Sequence, residues 1–186
     1  EPWVAVRNDT FELRDAFELT YLKEGYDRIN FKFPDLNGDS VSLSDERFKN
    51  KAVIVQVLGS WCPNCMDESI FYAEIYDEYK SQGLEIVGLA FERSGDFNTA
   101  KNTVNKMAQD LDMNYPVLIA GRASKKEASE KLPMLNKIIS FPTSIFINKE
   151  GKVVKVHTGF NGPATGQYYQ KYKDEFMQTL HEIISN

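Results

Sequence analysis

Residues 52–65 read AVIVQVLGSWCPNC, and this stretch decides the fold. The apolar run from Ala52 to Leu58 predicts a buried strand, Gly59-Ser60 predicts a turn, and the sequence after it predicts a helix over about 62–81. That helix carries two cysteines in its first turn, where unpaired backbone N–H groups and the positive end of the helix dipole favour a thiolate. Cysteines placed in this way commonly titrate at ~3.5–7.5 rather than at ~8.5.

Cys62 and Cys65 are the only cysteines of the chain. A low-pKa thiol with a second thiol three residues later is the minimal arrangement for thiol–disulfide exchange. We expect Cys62, nearer the helix end and more exposed, to be the nucleophile, and Cys65 to resolve the mixed disulfide. A structural disulfide is the weaker interpretation, because so short a loop removes little entropy from the unfolded chain. A zinc site would need two more ligands, and His157 and His181 lack ligand-like spacing, so we expect no metal and no other cofactor.

The composition is that of an ordinary soluble globular protein. The 186 residues suggest one domain with additions, and 42% are hydrophobic. A net charge of −5 argues against nucleic acid as a partner, because a basic face supplies most of that binding. No stretch approaches the ~18 consecutive apolar residues of a membrane span. The two cysteines do not fix the compartment.

Further strands and helices are predicted on both sides of this stretch. The Asn37-Gly38 pair predicts a hairpin. The predicted strands are 29–33, 41–43, 84–91, 115–120, 143–147 and 152–157. Helices are expected over Thr10 to Glu24, about 100–111, 125–136 with a kink or early end at Pro133, and about 169–184. Alternating strands and helices indicate an α/β fold with a central sheet between helices.

The order of these elements resembles the thioredoxin pattern. It runs strand, Trp-Cys-x-x-Cys, helix, strand, helix, Pro-Thr-strand, turn, strand and helix. The added α–β unit over about 96–120, the hairpin 29–43 and Glu68 in Cys-x-x-Cys-x-x-Glu resemble the TlpA/ResA branch. The resemblance covers about 29–186 and implies a thioredoxin-like three-layer sandwich with an N-terminal β-hairpin and a central α–β insertion. Residues 1–28 would then be an N-terminal extension or the tail of an upstream region.

The resemblance also implies a function. Proteins of this branch are extracytoplasmic thiol–disulfide oxidoreductases, in the periplasm or on the outer face of a membrane. We therefore expect a reductase of protein disulfides that takes electrons from a membrane thiol reductase, and the resemblance allows a membrane tether outside these residues. One alternative is a peroxiredoxin-like peroxidase, although the run before Cys62, VLGSW, lacks the Pro and Thr of that site. The other is a client-binding or chaperone module that uses 1–27 and the aromatics around Trp61.

Glu68 follows Cys65 by three residues, so the two share a helix face. A partly buried carboxyl at this position would have a raised pKa and could take the proton from Cys65. The alternative is a solvated Glu68. Thioredoxins carry a buried Asp six residues before the first cysteine, but Gln56 stands at that position here and cannot shuttle protons.

Five residues are expected to form the surface that binds substrate. Trp61 abuts the thiols on a turn, and Pro63 and Asn64 lie between the cysteines. The resemblance implies that Pro142 is the family's cis-proline and that the backbone of Phe141 faces a bound peptide. Phe141 is larger than the Val, Ile or Thr usual before that proline, which could alter the choice of substrate.

Overall fold

The computed structural model describes residues 18–185. Its central strand, β3 (Ala52–Leu58), is buried along its whole length. It lies in a five-stranded sheet with β4 (Leu84–Glu92), β5 (Val117–Arg122), β6 (Thr143–Ile147) and β7 (Val153–Thr158), in the order β5-β4-β3-β6-β7. Strands β3, β4 and β5 are parallel, whereas β6 runs antiparallel to β3 and to β7. A separate hairpin joins β1 (Lys32–Pro34) to β2 (Ser40–Ser42).

Within residues 18–185, four α-helices cover the sheet. They are α1 (Pro63–Tyr79), α2 (Phe97–Asp110), α3 (Lys125–Lys131) and α4 (Gln167–Ser185). Alternate residues of a strand point to opposite faces of its sheet, so β3 contributes to two hydrophobic cores. Ile54 packs in the core that contains side chains of α1, α2 and α4, and Val55 packs in the core that contains α3 and the hairpin. The result is three layers. The carboxyl end of β3 leads directly into residues 59–62, which we call the cysteine turn.

Most of the predicted elements are confirmed. β3 and β6 coincide with the predicted strands 52–58 and 143–147, and α3 ends before Pro133 as the missing N–H of proline requires. α1 is followed by a short 3-10 turn that closes at Gly83, which is left-handed with φ 97°. The sequence of elements therefore identified the sheet and the helix that carries the cysteines.

The helix predicted over Thr10 to Glu24 is wrong where it can be compared. Residues 10–17 lie outside the described residues, and 18–24 contain no α-helix. Leu22 instead forms an isolated antiparallel bridge with Leu135, and the N–H of Lys23 donates to the Met134 carbonyl at 2.9 Å. Tertiary pairing thus overrides the helical spacing of the apolar residues. Within residues 18–185 no helix is both long and apolar enough to cross a membrane.

Candidate active site

The two cysteines occupy the first turn of α1. Cys62 is the N-cap residue, with extended backbone angles, and Pro63 is the first helical residue, where its missing N–H costs nothing. The Cys62 sulfur accepts a hydrogen bond from the backbone N–H of Cys65 at 3.3 Å. Both side chains are free thiols. The backbone N–H of Cys65 also donates to the Cys62 carbonyl oxygen at 3.0 Å, so Cys62 caps the helix start through both its sulfur and its carbonyl.

The two thiols differ in acidity. The pKa of Cys62 is lowered from 9.0 to about 7, chiefly by a hydrogen bond from the Cys65 thiol, with burial opposing and the backbone N–H groups of Cys65 and Asn64 assisting. Burial, followed by the hydrogen bond and charge of Cys62, raises the pKa of Cys65 far above its ordinary value. Cys62 is 6% exposed and Cys65 is 0% exposed. Near neutral pH, Cys62 is therefore partly ionised and is the more exposed of the two sulfurs, whereas Cys65 is a fully buried neutral thiol.

The loop before β6 contacts Cys62. The peptide bond between Phe141 and Pro142 is cis, as the resemblance to the thioredoxin family predicted. The thiol of Cys62 donates to the carbonyl oxygen of Phe141 at 3.7 Å. The Phe141 ring packs edge-on against Trp61, with 5.5 Å between centroids, and also contacts Phe91 at 5.9 Å. The structure thus brings Phe141 and Trp61 together beside the sulfur of Cys62.

Trp61 is half-buried and its indole is fixed rather than free. The indole N–H donates to the carbonyl oxygen of Phe91 at 2.8 Å, and the guanidinium of Arg93 lies 5.8 Å from the ring centroid. Gly59 leaves room for the ring, because a Cβ at that position would lie 2.4 Å from the indole nitrogen. Pro63 and Asn64 are exposed on the first turn of α1. Part of Trp61 and the first helical turn therefore lie at the surface.

The turn between β3 and α1 is held by a buried acidic residue that was not predicted from the sequence. Glu92, at the end of β4, accepts hydrogen bonds from the backbone N–H of Ser60 at 2.8 Å and from its hydroxyl at 2.6 Å. The only sequence signal was an acid at the end of an apolar strand. Glu92 anchors the residues between β3 and Cys62, and so contributes to the position of Cys62.

Glu68 is 0% exposed, so the solvated alternative does not hold. Gln56 donates to its Oε2 at 2.9 Å, while the hydroxyls of Ser144 and Tyr172 donate to its Oε1 at 3.2 and 3.4 Å. Burial raises the pKa of Glu68 from 4.5 to about 8, although these hydrogen bonds oppose the rise. The negative charge of Glu68 contributes in turn to the raised pKa of Cys65.

Tyrosines complete the surroundings of this carboxyl. Tyr72 and Tyr172 are both buried, and their hydroxyls face the carboxyl region. The hydroxyls of Ser69 and Tyr115 donate to the amide oxygen of Gln56 at 3.3 and 3.2 Å. No periodic pattern distinguishes a tyrosine that only packs from one whose hydroxyl lies in a buried polar cluster. Within the described part of the chain, no cluster of His, Cys, Asp and Glu could hold a metal ion.

Comparison with known proteins agrees with this geometry. A family model described as Redoxin matches residues 24–171. The thiol-disulfide oxidoreductase ResA of Bacillus subtilis (strain 168) is 36% identical over 138 residues, which are 74% of this chain and 69% of that protein. The ResA protein of Halalkalibacterium halodurans is 31% identical over 150 residues, covering 81% of this chain and 77% of the other.

Solved structures show the same fold. A secreted thiol-disulfide isomerase from Corynebacterium glutamicum superposes with a TM-score of 0.67 at 18% identity, covering 95% of this chain and 99% of the other. A thiol:disulfide interchange protein of the thioredoxin family from Chlorobium tepidum TLS gives a TM-score of 0.60 at 22% identity, covering 84% and 94%. The predicted thioredoxin-like α/β fold is therefore confirmed.

Proposed function

This chain belongs to the Redoxin family, and we propose that it reduces protein disulfides in an extracytoplasmic compartment. It is a thiol–disulfide oxidoreductase of the TlpA/ResA-like type with a thioredoxin fold. The observation that carries the proposed cycle is the difference between its two thiols. A pKa of about 7 makes Cys62 substantially ionised at neutral pH, while Cys65 beside it stays a neutral thiol.

The proposed cycle begins when the Cys62 thiolate attacks one sulfur of a substrate disulfide. The bond that forms joins Cys62 to the substrate, and the other substrate sulfur leaves as a thiolate. Cys65 then attacks Cys62, which forms the Cys62–Cys65 disulfide and releases the second substrate thiolate. The proton that Cys65 gives up passes to Glu68, whose pKa of about 8 lies close to neutral pH, as efficient general base catalysis requires.

The proposed substrate surface surrounds the nucleophile. Phe141 contributes its backbone carbonyl, which already contacts the Cys62 sulfur, and Pro142 follows it in the chain. Trp61 offers an apolar face held in place by its bond to Phe91. Pro63 and Asn64 lie exposed beside the thiol. A disulfide-bonded peptide would bind across these residues, with its sulfur directed at Cys62.

The compartment and the electron donor are proposed from likeness to other proteins. One solved neighbour is described as secreted, and relatives at 29–36% identity are named ResA. We propose a membrane thiol reductase as the electron donor and a membrane tether outside residues 1–186. We also propose that 29–186 form the catalytic domain and that 1–28 are an N-terminal extension or the tail of an upstream region.

A redox titration tests the direction of the reaction. The chain is equilibrated in glutathione and dithiothreitol buffers, with Trp61 fluorescence as the signal in a Trp3→Phe background, and free thiols are counted in parallel. A midpoint near ~−270 mV or below supports a reductase, whereas a midpoint near ~−120 mV would make the protein a disulfide donor.

The Cys62→Ala variant should show no transition. The Cys65→Ala variant should accumulate a mixed disulfide with substrate, and its failure to do so would refute the proposed roles of the two thiols.

A further inference from the structure

The amide of Gln56 is oriented by contacts at both of its ends. Its oxygen accepts from Ser69 and Tyr115, so its NH₂ group faces Oε2 of Glu68 at 2.9 Å. An amide NH₂ group donates hydrogen bonds and accepts none. Toward Gln56, Oε2 can therefore only act as the acceptor, and a proton on Glu68 finds hydrogen-bond acceptors at Oε1, where the hydroxyls of Ser144 and Tyr172 lie.

Oε1 belongs to a closed ring of four oxygen atoms. The ring passes from Oε1 of Glu68 to the hydroxyl of Ser144 at 3.2 Å and on to the hydroxyl of Tyr72 at 2.8 Å. It continues to the hydroxyl of Tyr172 at 3.4 Å and returns to Oε1 at 3.4 Å. We call these three hydroxyl groups and Oε1 the hydroxyl ring. All four side chains are buried, so the ring has to satisfy its own hydrogen bonds.

The hydroxyl ring can accommodate both protonation states of Glu68. When Glu68 is ionised, Ser144 and Tyr172 donate to Oε1 and Tyr72 donates to Ser144. When Oε1 carries a proton, four protons fill the four edges, and each oxygen donates once and accepts once. Apart from the proton that Glu68 gains or loses, the two patterns differ only by rotation of hydroxyl groups, because a hydroxyl can donate and accept.

We propose that Gln56 and the hydroxyl ring are positioning residues that keep the exchangeable proton of Glu68 on Oε1. This proposal rests on the proposed function of Glu68 as the base for Cys65. As Cys65 attacks the mixed disulfide, its S–H bond breaks, its proton passes to Glu68, and the bond between Cys62 and the substrate breaks with release of a thiolate. Gln56, where thioredoxins have an acid, thus supports the transfer as a fixed donor and takes up no proton itself.

The ionisable groups that face Glu68 have pKa values well above neutral pH. The facing titratable groups are Cys65, Tyr72, Tyr115 and Tyr172, and burial together with the charge of Glu68 raises the pKa of each. The ring of His157 packs edge-on against Tyr172, with 5.1 Å between centroids. In the mixed disulfide Cys62 has no ionisable thiol, so the part of the pH dependence of the resolving step that Glu68→Gln removes is assigned to Glu68.

The test uses an aromatic disulfide that releases a coloured thiolate, 5,5′-dithiobis(2-nitrobenzoate). Attack by Cys62 releases the first coloured thiolate, and attack by Cys65 releases the second, so stopped-flow absorbance separates the two steps. Gln56→Leu and Tyr172→Phe each remove one hydrogen bond to the Glu68 carboxylate, which should raise the pKa of Glu68. The second phase at pH 7 should slow by about tenfold and recover at higher pH, because a hydrogen bond to a charged group changes an equilibrium by about that factor or more.

Two control variants separate the possible outcomes. Tyr169→Phe changes a tyrosine on the same helix whose ring packs against Phe71 and Phe160, and it should leave both phases unchanged. Glu68→Gln should slow the second phase and remove its pH dependence, and an unchanged profile would overturn the proposed role of Glu68. If Glu68→Gln alters the profile but Gln56→Leu and Tyr172→Phe do not, only the positioning role is refuted. Equal slowing at every pH would also refute it, since that result indicates a structural defect.

Discussion

Replacing Glu68 with Gln should remove a large pH dependence from the stability of the reduced protein. The folded-state pKa of Glu68 is raised from 4.5 to about 8, because the carboxyl is buried. Between these values the folded protein holds a proton that the unfolded chain has lost. The stabilisation is therefore complete below pH 4.5 and is lost as pH rises through 8.

The size of this effect follows from the same two values. The difference between 4.5 and about 8 corresponds to about 5 kcal/mol at ~1.4 kcal/mol per pKa unit. Cys62 acts in the opposite direction, because its pKa is lowered from 9.0 to about 7 and the folded state gains stability as pH rises between these values. A typical domain is stable by ~5–15 kcal/mol, so the loss due to Glu68 is a large part of the total.

The assay is urea unfolding of the wild type and of Glu68→Gln, under reducing conditions, at intervals from pH 5 to pH 9. Gln mimics the protonated acid, since its oxygen can accept from Gln56 and its NH₂ can donate into the hydroxyl ring. The two proteins should differ little at pH 5, and the variant should be the more stable by several kcal/mol at pH 8. The contribution of Cys62 is common to both and cancels in the difference. Glu78→Gln, at an exposed position on the same helix, is the matched control and should follow the wild type. Parallel curves for the wild type and Glu68→Gln would refute the argument that burial raises this pKa.

Two further predictions concern the cysteine turn. Alkylation of Cys62 by iodoacetamide should increase with pH around a midpoint near 7, and a midpoint near 9 would contradict the lowered pKa. Gly59→Ala should displace Trp61, since the added Cβ would lie 2.4 Å from the indole nitrogen and 3.0 Å from the Phe91 carbonyl oxygen. We expect a shifted Trp61 emission and slower reaction with disulfides, whereas unchanged emission would show that the turn adapts.

The sequence predicted the parts of the site that are close together in the chain. Cys62, Cys65 and Glu68 lie within seven residues at the start of one helix, and the apolar strand before them is recognisable by its length and composition. The cis bond before Pro142 followed from the family pattern and is confirmed. Its contact with Cys62 spans 79 residues, so only the family pattern, and no local rule, could have indicated it.

The degree of burial could not be predicted from spacing. From the sequence, Glu68 could be either a partly buried base or a solvated side chain, whereas the structure encloses it completely. Its enclosure depends on Tyr172 from α4, which is 104 residues away, and on Ser144 from β6. Glu92 was missed for a similar reason, because its partner Ser60 belongs to a different segment.

The pairing of β3 with β6 explains why both sides of the Glu68 carboxyl are satisfied. Gln56 lies directly opposite Ser144 in that antiparallel pair, so their side chains project from the same face of the sheet. That face is the one covered by α1, and the two residues reach the two oxygens of Glu68 from adjacent strands. A slip of one residue would turn either strand's side chains to the opposite face. The register that fills the hydrophobic cores on both faces of the sheet therefore also fixes the donors that hold the proposed base.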